Sequence, residues 1–198
     1  MHQQNRQRGR FVVIVGPDGV GKTTLAVELL RSWPSEGRYF HFRPPIRQAM
    51  QQRPPEAPSF VAAKPDTDGS RVLGWLRILR NFALFATGHL LTIRPAVRRG
   101  ALVVGDRWAY GYIAAPHQLK YYGPEWLARI VVSLLPQPDL VVCLTAPSDV
   151  VVARKAELGI AQIEAEDRMW RSLPARHKTT LLALDRPDLL AAKVLRDL

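Results

Sequence analysis

The chain has 198 residues, of which 47% are hydrophobic, and its formal net charge is +11. This length suits one globular domain, and the single cysteine, Cys143, excludes an internal disulfide bond. The basic surplus predicts anionic partners such as phosphorylated small molecules, whereas arginines spread along the chain do not favour nucleic acid. Residues 1–10 lack the apolar core of a secretory signal, and arginines within the apolar stretch 73–93 argue against a membrane span. We therefore expect a cytoplasmic protein.

The first predicted elements flank a glycine-rich turn. After a flexible basic arm at residues 1–10, the β-branched run 11–15 (FVVIV) predicts a central parallel strand. A helix follows over residues 22–33 and ends before Pro34. Residues 11–198 are thus expected to form a single domain that begins with a strand, a turn and a helix.

A long proline-rich segment follows the second predicted strand, residues 38–43. Residues 44–68 contain six prolines and are too long for an inert connector, which predicts a mobile loop on the substrate side. A helical pattern then begins at Ser70, continues for some 25 residues and stops near Gly100. The middle of the chain is therefore expected to contain a mobile loop followed by one long helix.

The remaining pattern alternates short apolar strands with helices. The further predicted strands are 101–104, 140–144 and 180–184, and the further predicted helices are 124–135, 147–158, 161–173 and 188–198. Such alternation is typical of a three-layer α/β fold with a parallel sheet. Ligands of these folds bind beyond the carboxyl ends of the strands, where both GPDGVGKTT and GDRW lie.

The segment GPDGVGKTT predicts a phosphate-binding loop, because Gly16-x-x-x-x-Gly21-Lys22-Thr23 matches the full spacing of that motif. Its glycines let backbone N–H groups surround phosphates, and the next helix adds its positive end. Lys22 is expected to neutralise the β- and γ-phosphates of ATP, and Thr23 to coordinate Mg²⁺. The predicted nucleotide-binding residues are Gly16, Pro17, Asp18, Gly19, Val20, Gly21, Lys22, Thr23 and Thr24.

A second acidic group is expected near this metal ion. Asp106 closes the buried strand 101–104, where a metal-associated carboxylate of such proteins belongs. Arg107 follows it directly, so the two side chains could hold a metal ion and a phosphate side by side. Thr23 and Asp106 are therefore the predicted metal ligands.

Four segments together resemble the thymidylate kinase family of P-loop nucleoside monophosphate kinases. Residues 16–24 resemble the family's phosphate loop, including its aspartate, and GDRW resembles its Asp-Arg-Tyr signature with Trp108 in place of tyrosine. Residues 138–155 resemble its fourth strand with the arginine that opens the lid, and residues 93–100 the end of its central helix. The resemblance implies a P-loop NTPase fold with helices on both faces of a five-stranded parallel sheet in the order 2-3-1-4-5. It also leaves a homodimer open.

Site roles carry over from the resemblance residue by residue. Asp18 would accept a hydrogen bond from the acceptor's sugar hydroxyl, and Arg43 would hold the acceptor phosphate. Arg107 would steady the same phosphate, and Arg154, in a lid over about 154–173, would reach the transferring phosphoryl group. Apart from the resemblance, Trp108 reads either as a core aromatic or as a residue that lines the acceptor pocket. Lys22, Asp18, Arg107 and Arg154 are the expected catalytic residues.

The residues expected to bind the phosphate acceptor differ from the family pattern. Residues 82–91 (FALFATGHLL) lack the arginine and glutamine with which the family reads its base, and Arg43 is followed by two prolines. The leading expectation is transfer of the ATP γ-phosphoryl group to a nucleoside monophosphate such as dTMP. A kinase of the same fold for a sugar or other metabolite remains open, as does a non-catalytic nucleotide-binding or nucleic-acid-binding protein.

Overall fold

The computed structural model describes residues 8–46, 49–54, 71–154 and 160–198. Within these ranges, five parallel strands form one sheet in the order β2-β3-β1-β4-β5. The strands are β1 (Arg10–Val15), β2 (Gly37–His41), β3 (Leu102–Asp106), β4 (Leu140–Thr145) and β5 (Lys178–Leu182). The predicted α/β class, the parallel sheet and the strand order are confirmed.

Helical segments connect these strands. They are α1 (Lys22–Ser32), α2 (Arg71–Gly88), a π-helical turn (His89–Ile93), α3 (Arg94–Arg98), a 3₁₀ turn (Trp108–Tyr110), α4 (Gly111–Ala114), a second 3₁₀ turn (Pro116–Leu119), α5 (Glu125–Leu134), α6 (Ser148–Arg154), α7 (Ile160–Arg171) and α8 (Pro187–Arg196). The long helix predicted before Gly100 is therefore present with a π-helical turn in it. Most of the predicted mobile loop, 44–68, lies outside the described residues.

Three predicted boundaries were wrong. Arg10 belongs to β1 rather than to a basic arm, because its backbone N–H donates to the carbonyl of Ala101 at 3.0 Å. β2 ends at His41 instead of residue 43, because Phe42 takes a left-handed conformation with φ of 58°. β5 covers Lys178–Leu182 and so lies two residues earlier than predicted. The chain after Arg107 is helical at Trp108–Tyr110 and Gly111–Ala114, where the sequence pattern predicted no element.

The alternation of side chains along β1 explains how the sheet is covered. Val13 and Val15 point to a core shared with α2, α3 and α5, whereas Val12 and Ile14 point to a core shared with α1 and α8. Both faces are therefore buried, as the continuous apolar runs of the strands predict. The glycine-rich loop follows the carboxyl end of β1.

Trp108 lies at the centre of an aromatic cluster. Its ring makes edge contacts with Phe11, Phe40 and Phe85 at centroid distances of 5.3, 5.9 and 4.8 Å. The side chain is 0% exposed, as is that of Tyr110. The prediction that Trp108 lines an acceptor pocket is therefore wrong for this conformation, because a ligand has no surface of the ring to contact.

One negative result concerns membranes. No helix within the described ranges has the length and apolar character needed to cross a bilayer.

Replacing Trp108 tests whether the aromatic cluster stabilises the fold. The Trp108→Ala variant should lose about 3–5 kcal/mol of unfolding free energy, because it leaves a large cavity in a fully buried core. Trp126→Ala is the matched control, since Trp126 is 56% exposed and makes one edge contact with Trp75. It should lose only about 1 kcal/mol. Urea unfolding followed by circular dichroism measures both, and equal losses would contradict the assignment.

Candidate active site

The glycine-rich loop joins β1 to α1 through backbone conformations that favour glycine. Gly16, Gly19 and Gly21 have φ of 142°, 83° and 99°. A Cβ on Gly16 would lie 2.2 Å from the carbonyl oxygen of Leu144 in the neighbouring strand, so a side chain has no room there. Gly21 caps α1 without any side-chain hydrogen bond, and the first turn of the helix carries no acidic residue. The loop therefore presents the positive end of α1 to an anion.

Lys22 lies over this loop. Its Nζ donates to the carbonyls of Gly16 at 3.1 Å and Pro17 at 2.7 Å, and it lies 3.6 Å from Asp18 Oδ1. Burial lowers the pKa of Lys22 and the charge of Arg107 lowers it further, while nearby aspartates oppose both effects. The ammonium group is thus poorly solvated and can exchange the loop carbonyls for a stronger anionic partner.

Asp106 is a buried carboxylate at the carboxyl end of β3, next to Ile14 of β1. Its Oδ2 accepts a long hydrogen bond from the Tyr39 hydroxyl at 3.4 Å and lies 3.0 Å from His41 Nδ1. Burial acts to raise the pKa of Asp106, but the contact with His41 and the charge of Lys22 outweigh it and hold this pKa below its ordinary value. Asp106 is therefore ionised at neutral pH.

The second oxygen of Asp106 is the feature that points to a metal ion. Asp106 Oδ1 is buried and has no hydrogen-bond partner among the described residues. A buried ionised oxygen without a partner is costly, and a metal ion or its bound water would satisfy it. No cluster of three or more His, Cys, Asp or Glu side chains that could hold a metal ion occurs in the described part of the chain. This donor set suits Mg²⁺, which binds few protein carboxylates and keeps most of its waters.

Arg107 connects β3 to the loop. Its backbone N–H donates to the carbonyl of Ile14 at 2.9 Å, which holds the residue at the unusual φ of 73°. The buried guanidinium donates through Nη2 to Asp18 and through Nη1 to Gln118. Asp18 is therefore shared by Lys22 and Arg107 and joins the two cations of the site.

Arg43 lies apart from this cluster in its contacts. Its Nη1 donates to Asn81 Oδ1 of α2 at 3.0 Å, and its guanidinium lies 5.6 Å from the ring centre of Phe42. Asn81 is 4% exposed and donates in turn to the hydroxyl of Tyr112. The sequence analysis missed Asn81, although a polar residue within an apolar helix was a usable signal. His41, at the end of β2 and 3.0 Å from Asp106 Oδ2, was also missed as a residue of the site.

Thr23 and Arg154 are two further residues predicted to belong to the site. Thr23 lies half-buried in the first turn of α1, next to Lys22 in the chain, and its role as a metal ligand stays a prediction. Arg154 ends α6, but its side chain lies outside the described part of the chain. Its role in transfer stays a prediction.

A cavity of about 380 Å³ adjoins the loop. It lies between the loop and the connection from β5 to α8. The lining residues are Gly19, Val20, Gly21, Thr24, Leu25, Leu144, Ala183, Leu184, Asp185, Pro187 and Leu190. Mostly apolar walls with a few polar groups are typical of a site for a flat heterocycle.

Alanine at two loop positions separates backbone strain from steric conflict. Gly21→Ala should cost about 1–2 kcal/mol of unfolding free energy, because φ is positive but no atom lies within 4 Å of the added Cβ. Gly16→Ala should cost more, because its Cβ also meets the carbonyl of Leu144. Urea unfolding of both variants gives the ranking. A Gly16 variant as stable as the Gly21 variant would contradict the loop geometry.

Comparison with known proteins adds no relative from which a function could be transferred. No protein-family model matches the chain, and no curated protein matches it. What this site does must therefore be inferred from its own residues: the glycine loop, Lys22, and the paired Asp106 and Arg107.

Proposed function

We propose that the chain is an ATP-dependent, P-loop type phosphotransferase that uses Mg²⁺. One observation carries the proposal: a glycine loop with a buried lysine lies beside an ionised carboxylate, Asp106, whose Oδ1 has no hydrogen-bond partner among the residues that the structure describes. The loop suits a polyphosphate and the carboxylate suits a metal ion, and ATP bound with Mg²⁺ supplies both.

The loop and Lys22 would bind the polyphosphate. Backbone N–H groups between Gly16 and Thr23 and the positive end of α1 favour anionic oxygens. Lys22 would leave the carbonyls of Gly16 and Pro17 and pair with the phosphates, since a charge-assisted hydrogen bond is stronger than one to a neutral carbonyl. On nucleotide binding, the hydrogen bonds from Lys22 to the loop carbonyls would be replaced by hydrogen bonds to phosphate oxygens.

Thr23 and Asp106 are the residues that would hold the metal ion. Bound Mg²⁺ would neutralise charge on the β- and γ-phosphates. Asp106 Oδ1 would coordinate the ion directly or accept a hydrogen bond from one of its waters, while Oδ2 stays oriented by Tyr39 and His41. Burial raises the pKa of Tyr39, so this tyrosine keeps its proton and remains a donor.

The nucleoside end of ATP would occupy the cavity beside the loop. Its walls from Leu25, Leu144 and Leu190 are apolar, and its volume of about 380 Å³ suits a nucleobase. Asp185, which pairs with Lys193 at 2.7 Å, is the acidic residue in this lining and could also accept from an amino group of the base. With the base in this cavity, the polyphosphate would follow the loop.

The acceptor would be a nucleoside monophosphate such as dTMP. Arg107 provides the planar fork that pairs with phosphate oxygens, and transfer to a phosphate acceptor needs no strong general base.

A specific observation favours a second candidate, a kinase for a sugar or other metabolite. Trp108 is buried in the core, so its ring does not line an acceptor pocket, and Arg43, expected to hold the acceptor phosphate, donates instead to Asn81. For a hydroxyl acceptor, Asp18 or Asp106 would become the candidate base.

Lys22→Ala tests the nucleotide site. The variant should fold normally but release ADP at least about 100-fold more slowly, because it loses the charge that stabilises the transferring group. Arg129→Ala is the control, since Arg129 is an exposed cation paired with Glu125 on α5. A coupled ADP assay measures both, with circular dichroism to check folding. Undiminished ADP release by Lys22→Ala would rule the proposal out.

An acceptor panel separates the two candidates. Wild-type protein with ATP and Mg²⁺ should release ADP fastest with dTMP among nucleoside monophosphates and sugars. Preference for a sugar would support the second candidate. Nucleotide binding without ADP release for any acceptor would contradict phosphoryl transfer and favour a non-catalytic role.

A further inference from the structure

Gln118 lies between Arg107 and helix α7. Arg107 Nη1 donates to Gln118 Oε1 at 2.9 Å, and Gln118 Nε2 donates to Glu166 Oε1 at 3.1 Å. A guanidinium only donates and an ionised carboxylate only accepts, so the amide can bridge them in one orientation. The two contacts therefore fix the rotamer of Gln118 and connect Arg107 to α7.

A second contact ties Arg107 to the same helix. The guanidinium lies 5.9 Å from the ring centre of Trp170, which is 0% exposed. Glu166 and Trp170 are four residues apart and so lie on one face of α7. With Asp18 as a third partner, the orientation of Arg107 depends on the loop, on the 3₁₀ turn that carries Gln118, and on α7.

Glu166 also lies within the electrostatic field of the site. Burial raises the pKa of Glu166 and the charge of Asp18 raises it further, whereas Arg107, Lys22 and the hydrogen bond from Gln118 act to lower it. The charges of Asp18, Lys22 and Arg107 therefore act on Glu166 of α7. Glu166 is thus linked to Arg107 both by charge and through the side chain of Gln118.

We propose that Gln118 is a positioning residue that holds the guanidinium of Arg107 toward the acceptor, and that Glu166 holds Gln118 in turn. The inference rests on the proposed function, because it assigns Arg107 to an anionic acceptor group. A guanidinium held in advance loses less conformational entropy when it binds. Loss of the bridge should therefore weaken acceptor binding more than ATP binding, which depends on the loop.

Alanine variants test the bridge, with dTMP as the acceptor probe. Gln118→Ala and Glu166→Ala should each raise the KM for dTMP about tenfold, the scale of one charge-assisted hydrogen bond, while the KM for ATP changes less than about twofold. The double variant should be no worse than the single ones, because both changes break one chain of contacts.

Two further variants separate positioning from a general loss of structure. Glu166→Gln should restore a KM for dTMP near that of the wild type, because its amide oxygen can still accept from Gln118 Nε2. Glu164→Ala is the control on the same helix, since Glu164 is exposed and accepts from Ser148. An unchanged KM in Gln118→Ala, or a raised KM in Glu164→Ala, would overturn the inference.

A readout without turnover distinguishes this inference from the proposed function. In ¹⁵N-arginine spectra, the guanidinium of Arg107, assigned with Arg107→Lys, should rotate slowly in the wild type and faster in Gln118→Ala. Equal rotation rates would overturn the positioning role even if the enzyme is active. If wild-type protein transfers no phosphoryl group to any acceptor, the proposed function fails, and the rotation rates alone decide whether Gln118 holds Arg107.

Discussion

The site depends on a balance of charge where β1 and β3 end side by side. Two buried cations, Lys22 and Arg107, share Asp18, and Asp106 remains ionised beside them although burial opposes its charge. Each of these groups would be costly to bury alone, and each is stabilised by the others. The parallel register pairs Ile14 with Asp106, so the loop that follows β1 and the residues that end β3 lie side by side.

Much of this architecture is predictable from short patterns. The apolar runs predicted β1, β3 and β4 to within about two residues, because a strand buried on both faces must be apolar throughout. The glycine spacing from Gly16 to Gly21 predicted a tight loop between strand and helix, and Gly16, Gly19 and Gly21 there take positive φ. The order of the strands did not follow from periodicity. It was implied by the resemblance to thymidylate kinases, and the sheet has that order.

Other features depend on contacts between residues far apart in the chain. Trp108 reads as a candidate pocket residue because it follows Asp106 and Arg107, yet a φ of 47° turns its ring into the core. Gln118 has no motif around it, and its importance lies only in its contacts with Arg107 and with Glu166, 48 residues further on. Such roles come from tertiary geometry, which local sequence does not encode.

The central claim is that the loop binds the polyphosphate of a nucleotide with a metal ion beside Asp106. A crystal structure with a non-hydrolysable ATP analogue and Mg²⁺ tests it most directly. The account predicts the β-phosphate within the backbone amides of residues 16–23, and the ion bonded to Thr23 with Asp106 Oδ1 beside it, directly or through water. A nucleotide bound elsewhere, or a loop whose amides contact no phosphate, would contradict the account.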